Sequence, residues 1–205
     1  MAAIVSLDEG DTRVALKHAW RTLELAEQYG SPTWVTLADV WVAYAHLLAG
    51  EPDQALERAQ HCEDTMLAYG IEVGRCDLAT ILAEARLARD EPALARQLAL
   101  ESIELARERG RNRALLRSLL VLARAEARLD ATSSSCEAVL AEARLLLERP
   151  SLRHERPRLA EACAEIAHAR ADRDRARLEL EEAHRLCAEM GAHGHASRLA
   201  RLLAT

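Results

Sequence analysis

Apolar residues recur every three or four positions through most of this sequence, as they do on the buried face of an α-helix. In the segment Asp11–Tyr29, for example, Ala15, Ala19 and Ala26 follow this spacing. The β-branched and aromatic residues that strands favour are scarce, and only 3% of the residues are aromatic. The pattern therefore predicts an all-α protein.

The predicted helices end at regularly placed glycines and begin at acidic–proline turns. Gly30, Gly70 and Gly110 follow three helical patterns at intervals of forty residues, where glycine can adopt the left-handed conformation that ends a helix. Glu51-Pro52 and Glu91-Pro92 begin two of the next helices, with proline in the first turn, where no backbone N–H is needed. Joins this short predict that the connected helices are antiparallel.

A forty-residue unit is therefore repeated along the chain. One isolated helix pair cannot bury its apolar face, but stacked pairs can, so we predict a single repeat domain over 1–205. The predicted parts are pairs at about 31–70, 71–110, 111–149 and 156–191 and a capping helix at 195–205. Residues 1–10 align with the end of an earlier first helix, so we expect a truncated helix there and a longer parent protein. The alternative is a short native cap.

The spacing slips once, between the third and fourth pairs. Asp130–Ser135 is a polar turn, and the helix after it, at about Ser134–Glu148, is shorter than the others. Arg149–Pro157 contains two prolines and is predicted to be a loop. The repeat resumes two residues late.

Small residues recur where paired helices must approach closely. An alanine stands five residues after the start of three turns: Ala15 after Gly10-Asp11, Ala55 after Gly50-Glu51 and Ala95 after Asp90-Glu91. This motif resembles the tetratricopeptide repeat (TPR) family, and the resemblance covers nearly the whole chain. It implies a right-handed superhelical stack of antiparallel helix pairs, an α-solenoid, whose concave face is lined mainly by the first helix of each pair.

Several features depart from the usual TPR pattern. The unit has forty residues, compared with about 34 in the family. Ala19, Ala59 and Ala99 replace an expected aromatic residue, and glycine ends the units in place of proline. The chain, including its ending Cys187–Leu203, is similar to elongated TPR arrays at the C-termini of large bacterial signalling proteins, which combine an ATPase with a cyclase, kinase or transcription-factor domain. That resemblance implies a cytoplasmic, non-catalytic interaction or regulatory module.

The family's groove-facing positions give six candidate residues for binding a partner on the concave face. They are Tyr44 in the first pair, Asp77 and Glu84 in the second, and Arg117, Arg124 and Arg128 in the third. The groove would then change from aromatic to acidic to basic along its length. Arg124 and Arg128 lie one helical turn apart, so they could hold a carboxylate together. The alternative is a solvated helix face with ion pairs between successive turns.

Charge and composition weigh against other classes of protein. The net charge of −6, from 27 basic and 33 acidic side chains, disfavours nucleic-acid binding. The most apolar run, Trp34–Ala49, carries Asp39 and His46 and is shorter than the roughly 20 residues of a membrane span. Five cysteines without a CxxC pair indicate reduced, mostly buried side chains in a cytosolic protein.

We also expect no metal, cofactor or catalytic site. The eight histidines show no zinc-ligand spacing, and there is no phosphate-binding loop or GxSxG motif. The expected partner is a protein or peptide, an adjacent domain of the parent protein or a second copy of the chain. Two alternatives are a small effector that fills the groove and changes the curvature, and a structural array that spaces or dimerises other domains. A buried pocket lined with unpaired polar groups would favour the effector, and a smooth open groove would favour a peptide.

Overall fold

The computed structural model describes residues 10–132 and 134–204, and all regular structure in these ranges is helical. The prediction of an all-α protein is confirmed for this part of the chain. The elements are α1 (Thr12–Tyr29), α2 (Pro32–Leu48), α3 (Pro52–Tyr69), α4 (Arg75–Ala88), α5 (Pro92–Glu108), α6 (Asn112–Leu129), α7 (Ser135–Leu147), a 3-10 helix (Pro150–Glu155), α8 (Arg156–Ala169), α9 (Arg173–Glu189) and α10 (His193–Leu203). The truncated helix predicted at 1–10 lies outside the described residues except for Gly10.

The helices stack in two layers. Each helix packs against the next along the chain, most weakly at α7 and α8, which the 3-10 helix separates. The short turns elsewhere make consecutive helices antiparallel. The first helices of the pairs, α2, α4, α6 and α8, also pack against one another in succession, whereas α3, α5, α7 and α9 make no comparable contacts among themselves. The first helices therefore form one layer of a repeat-like array and the second helices form the other. We call the layer of the first helices the inner layer and that of the second helices the outer layer.

The forty-residue period is visible in the turns. The backbone N–H of Glu51 donates to the carbonyl of His46, and that of Glu91 donates to the carbonyl of Arg86, each at 3.0 Å. The side chains repeat the contact, because the ring Nδ1 of His46 lies 2.7 Å from the Glu51 carboxylate and Nη1 of Arg86 lies 2.9 Å from that of Glu91. Repeated sequence thus produces repeated local structure.

Buried apolar residues form three successive clusters in place of one central core. The clusters run from Ala15 to Ala85, from Cys76 to Ile166 and from Ala160 to Leu199. Ala15, Ala55 and Ala95 have no exposed surface, and neither do Ala19, Ala59 and Ala99, which stand where the TPR family has an aromatic residue. Alanine at these positions lets the helices pack closely.

The prediction of a loop at Arg149–Pro157 is wrong, because most of this segment is helical. The 3-10 helix Pro150–Glu155 leads directly into α8, and Leu152 and Glu155 are buried. Both prolines lie in the first turn of a helix, where a backbone N–H has no acceptor within the helix. The lack of an N–H in proline therefore costs no hydrogen bond, and the prolines begin helices here. The last helix also begins at His193, two residues before the predicted start of the capping helix at 195.

Two turns place a residue other than glycine in the left-handed conformation. Asp90 and Ala171 both have φ of 60°, where a Cβ costs roughly 1 kcal/mol. We expect Ala171→Gly to raise the free energy of unfolding by about 0.5–1 kcal/mol in urea denaturation, because Ala171 is exposed and loses no packing. The matched control is Ala141→Gly in the middle of α7, which should lower it by about 1 kcal/mol. A loss of stability in both variants would contradict the prediction.

Candidate binding cavity on the inner face

A cavity of about 440 Å³ lies on the inner side of the array. One wall comes from the end of α2, and the opposite wall comes from the end of α9 and the start of α10. Helices α6 and α8 and the 3-10 helix contribute most of the charged lining. The polar and charged residues of the lining are Glu84, Arg113, Arg117, Arg124, His154, Glu155, Arg158, Glu161, Glu165, His195 and Arg198.

The first and fourth helix pairs meet beside this cavity. The guanidinium of Arg158 in α8 donates a hydrogen bond to the hydroxyl of Tyr44 in α2, across 114 residues of sequence. The guanidinium carbons of Arg117 and Arg158 also lie 5.2 and 5.5 Å from the centre of the Tyr44 ring. Tyr44 is only 7% exposed, so its ring serves as a platform for two cations.

The two ends of the described chain also touch. Gly10 and Gly194 approach so closely that a Cβ added to either would clash, with His195 in the first case and with the Gly10 backbone in the second. Glycine at both positions therefore permits a contact between the start of α1 and the start of α10. The array curves far enough to bring its first and last described segments together.

Glu155 is the centre of the charged lining. It is 1% exposed, and its carboxylate lies 2.5 Å from Nε of Arg113, 2.8 Å from Nη2 of Arg117 and 3.0 Å from Nε of Arg158. The ring Nε2 of His154 is 3.3 Å away. Burial alone would raise the pKa of Glu155, but the hydrogen bond from His154 and the charges of Arg117 and Arg113 outweigh it and lower the pKa. Glu155 is thus a buried anion stabilised by cations from α6 and α8.

Arg124 and Arg128 hold a carboxylate together, and that carboxylate belongs to the chain itself. Nη2 of Arg124 lies 2.8 Å from one oxygen of Glu165 in α8, and Nη2 of Arg128 lies 3.3 Å from the other. Arg128 also donates to the backbone carbonyl of Leu87 in α4, at 2.8 Å. These contacts join three successive inner helices.

Glu84 differs from the other acids of the cavity. Glu155 and Glu165 are held as described, and Glu161 forms an ion pair with Arg198. Among the described residues, no donor lies within hydrogen-bond distance of the Glu84 carboxyl group, although Arg124 and Arg117 are near enough to favour its charged form. Burial has the larger effect and raises the pKa of Glu84.

The six residues predicted to bind a partner fall into three places. Glu84, Arg117 and Arg124 line the main cavity. Tyr44 and Asp77 line a smaller adjoining cavity of about 160 Å³, to which Glu84 and Arg117 also contribute. Arg128 is in the lining of neither cavity and pairs with Glu165, one turn beyond Arg124.

Sequence reasoning missed Arg113, Glu155, Arg158 and Arg198. Glu155 falls within the predicted loop, and Arg198, in the predicted capping helix, lines the cavity and pairs with Glu161. One signal was present, because Glu155 is the sole acid in the basic run Arg149–Arg158. A lone acid among so many cations is a natural centre for an ion-pair cluster.

The side chains that line the cavity can form ion pairs and hydrogen bonds with a ligand. All five cysteines are free, and burial raises the pKa of Cys187, at the cavity wall, to about 11. At neutral pH this thiol is protonated and behaves as a small apolar group. Within residues 10–132 and 134–204, no cluster of three or more His, Cys, Asp or Glu side chains has the arrangement of a metal site.

Comparison with known proteins gives no family for this chain, because no family model matches it and no curated protein resembles it significantly. None of the described helices is both long enough and apolar enough to span a bilayer.

Proposed function

We propose that the chain is a non-catalytic interaction or regulatory module that binds a protein or peptide segment, an adjacent domain or a second copy of itself on its concave face. In this proposal the array is a TPR-like, right-handed superhelical stack. It belongs to a larger bacterial signalling protein, works in the cytoplasm and uses no cofactor. The proposal is supported by the layered packing, since the first helices form an inner surface on which charged residues are concentrated.

The observation that carries the proposal is the inner cavity, whose charged side chains are partly exposed. Arg113 and Arg158 stabilise Glu155 yet keep 38% and 24% of their side chains exposed, so a carboxylate of a partner can approach the same cations. Glu84 adds a carboxyl group to the same lining. A surface with both kinds of group selects a partner by charge complementarity more than by apolar area.

A small effector is the second candidate, and the contact between Tyr44 and Arg158 favours it. This contact links the first and fourth pairs beside the cavity, and about 440 Å³ lies within the range of small-molecule sites. An effector that binds only when the contact is closed, or only when it is open, would shift the curvature of the array. The inner face would then act as a sensor.

Site-specific photocrosslinking tests the proposal. A benzophenone amino acid in place of Leu48, which is half-buried at the cavity wall, should crosslink the module to a polypeptide partner in cells that make the parent protein. The same amino acid in place of Leu178, which is 62% exposed on α9, is the control and should give no such product. Identical products from both positions would contradict concave-face binding.

The effector alternative has its own readout. If Leu48 gives no crosslinked polypeptide, native mass spectrometry of the protein purified from its own cells should show a bound small molecule that is lost on denaturation. That result would replace the partner protein with an effector. If neither product is seen, the inner face has no ligand and the proposed function is wrong.

A further inference from the structure

A second groove lies on the outer face of the array, away from the charged cavity. It has a volume of about 420 Å³ and runs between α3 and α5, which do not pack closely against each other and so leave α4 uncovered between them. Leu78 and Leu82 of α4 form part of its floor. The remaining apolar residues of the lining are Met66, Leu67, Ile71, Ala79, Leu98 and Leu105.

One wall of this groove exposes a large apolar side chain. Leu67 lies on the α3 side and is 70% exposed. On the α5 side, Leu94, Leu98 and Leu105 are spaced by four and seven residues, so they share one helix face. Leu94 is itself 47% exposed. Apolar surface of this kind next to a groove is typical of an interaction site.

Carboxylates flank the groove on both sides. Glu63 on α3 and Glu101 on α5 line it, and neither has a cationic partner among the described residues. The carboxylate of Glu101 accepts a hydrogen bond only from the side-chain amide of Gln97, at 3.0 Å. Glu72 and Arg75 also line the groove and pair with each other at 2.9 Å, so the border has three acids and one arginine and is negatively charged overall.

The negative charge extends along both outer helices. The arginines of α5 point away to acids of other elements: Arg96 pairs with Glu126 and Arg107 pairs with Glu142. Four other acids of α3 and α5 are exposed and, within the described part of the chain, have no cationic partner. They are Glu57 and Asp64 on α3 and Glu104 and Glu108 on α5.

The equivalent groove farther along the array has a different balance of charge. It lies between α7 and α9, has a volume of about 490 Å³ and is also partly apolar. Its border carries four arginines, Arg144, Arg156, Arg175 and Arg185, together with three glutamates. The acidic border is thus a property of the α3–α5 groove and does not follow from the fold alone.

We propose that the groove between α3 and α5 docks a basic amphipathic α-helix of a partner protein. The apolar side chains on one face of that helix enter the groove, as in other helix-in-groove complexes. Lysine and arginine side chains along the edges of the helix pair with Glu63 on one side and Glu101 on the other. The same carboxylates repel nucleic-acid phosphates and anionic lipid surfaces.

This outer site is independent of the cavity proposed above. Its lining residues come from α3, α4 and α5 and the turn between α3 and α4, and the groove shares none of them with the inner cavity. A ligand can therefore occupy the inner face while a partner helix is docked outside.

The test uses a fluorescein-labelled peptide of leucine and lysine, about four helical turns long, with a single apolar face. Titration with the full chain, followed by fluorescence anisotropy, should show binding that weakens as salt is added. A peptide of the same composition, scrambled so that it has no apolar face, should bind at least about tenfold more weakly. Equal binding of the two peptides would show only general charge attraction and would overturn the proposal.

Matched variants locate the site. Glu63→Lys combined with Glu101→Lys should weaken peptide binding about tenfold or more. Glu148→Lys combined with Asp174→Lys changes the net charge equally at exposed positions elsewhere and should change the affinity less than about twofold. An equal loss of affinity in both double variants would overturn the proposal.

A second pair of variants tests the apolar contribution of the groove to peptide binding. Leu67→Asp should abolish most peptide binding, whereas Leu145→Asp, at a side chain that is 64% exposed on α7, should not. Both positions are exposed, so neither change should unfold the chain. Sedimentation of the free protein tests the other occupant, because self-association that Leu67→Asp removes would assign the groove to a second copy of the chain and overturn the proposal.

Discussion

Replacing Glu155 with alanine should lower the free energy of unfolding by about 3–5 kcal/mol. The carboxylate is 1% exposed and accepts from Arg113, Arg117 and Arg158. Its loss removes the carboxylate that all three guanidinium groups share, and Arg117 is itself only 12% exposed. Urea denaturation monitored by circular dichroism gives the free energy of unfolding directly.

The matched control for this change is Glu148→Ala. Glu148 lies seven residues earlier, is exposed and has no cationic partner among the described residues, so its loss should change stability by less than about 0.5 kcal/mol. If Glu155→Ala costs no more than Glu148→Ala, the cluster does not hold the third and fourth pairs together.

The pH dependence gives a second readout of the same cluster. The pKa of Glu155 is lowered in the folded state, so its contribution is complete above its ordinary pKa of about 4.5 and is lost as the pH falls toward the folded value. The wild-type chain should therefore lose more stability than Glu155→Gln on going from about pH 5 to pH 3. Parallel curves for the two proteins would show that Glu155 has the same pKa folded and unfolded.

The helices were predictable because their signals are local. A glycine at position 30, 70 or 110 ends a helix through its own backbone freedom, and alanine at 15, 55 or 95 permits close packing whatever the neighbour is. The two prolines at 150 and 157 carried the same kind of signal but were interpreted as helix breakers. A proline in the first turn of a helix favours the helix instead of breaking it. Whether a proline lies in the first turn depends on where the helix begins, and the sequence marks that start only weakly.

The cavity was only partly predictable because its contacts join different pairs. The spacing of Arg124 and Arg128 indicated that they could hold a carboxylate, but the identity of Glu165 depends on how α8 stacks on α6. Arg198 looks like a surface residue of a capping helix until the curvature of the array brings α10 back to the cavity. The acidic outer groove likewise arises from the separation of α3 and α5, which no local pattern encodes.

In a stack of helix pairs, the stability lost when a buried side chain is shortened should depend on whether its helix is central or terminal. Leu116 in α6 and Leu199 in α10 both have no exposed surface, so Leu→Ala creates a comparable cavity at each. Helix α6 packs against α4, α5, α7 and α8, whereas α10 packs mainly against α9. We expect Leu116→Ala to lower the global free energy of unfolding by about 3–5 kcal/mol, measured by urea denaturation.

Leu199→Ala should act locally, because it can cost no more than the free energy with which α10 docks. Hydrogen exchange followed by mass spectrometry should show faster exchange in α10 and, through the contact between Gly194 and Gly10, in the first turn of α1, with α4 to α6 unchanged. Faster exchange in α6 as well would mean that the chain unfolds as one cooperative globule. Unchanged exchange in α1 would mean that the two ends touch without stabilising each other.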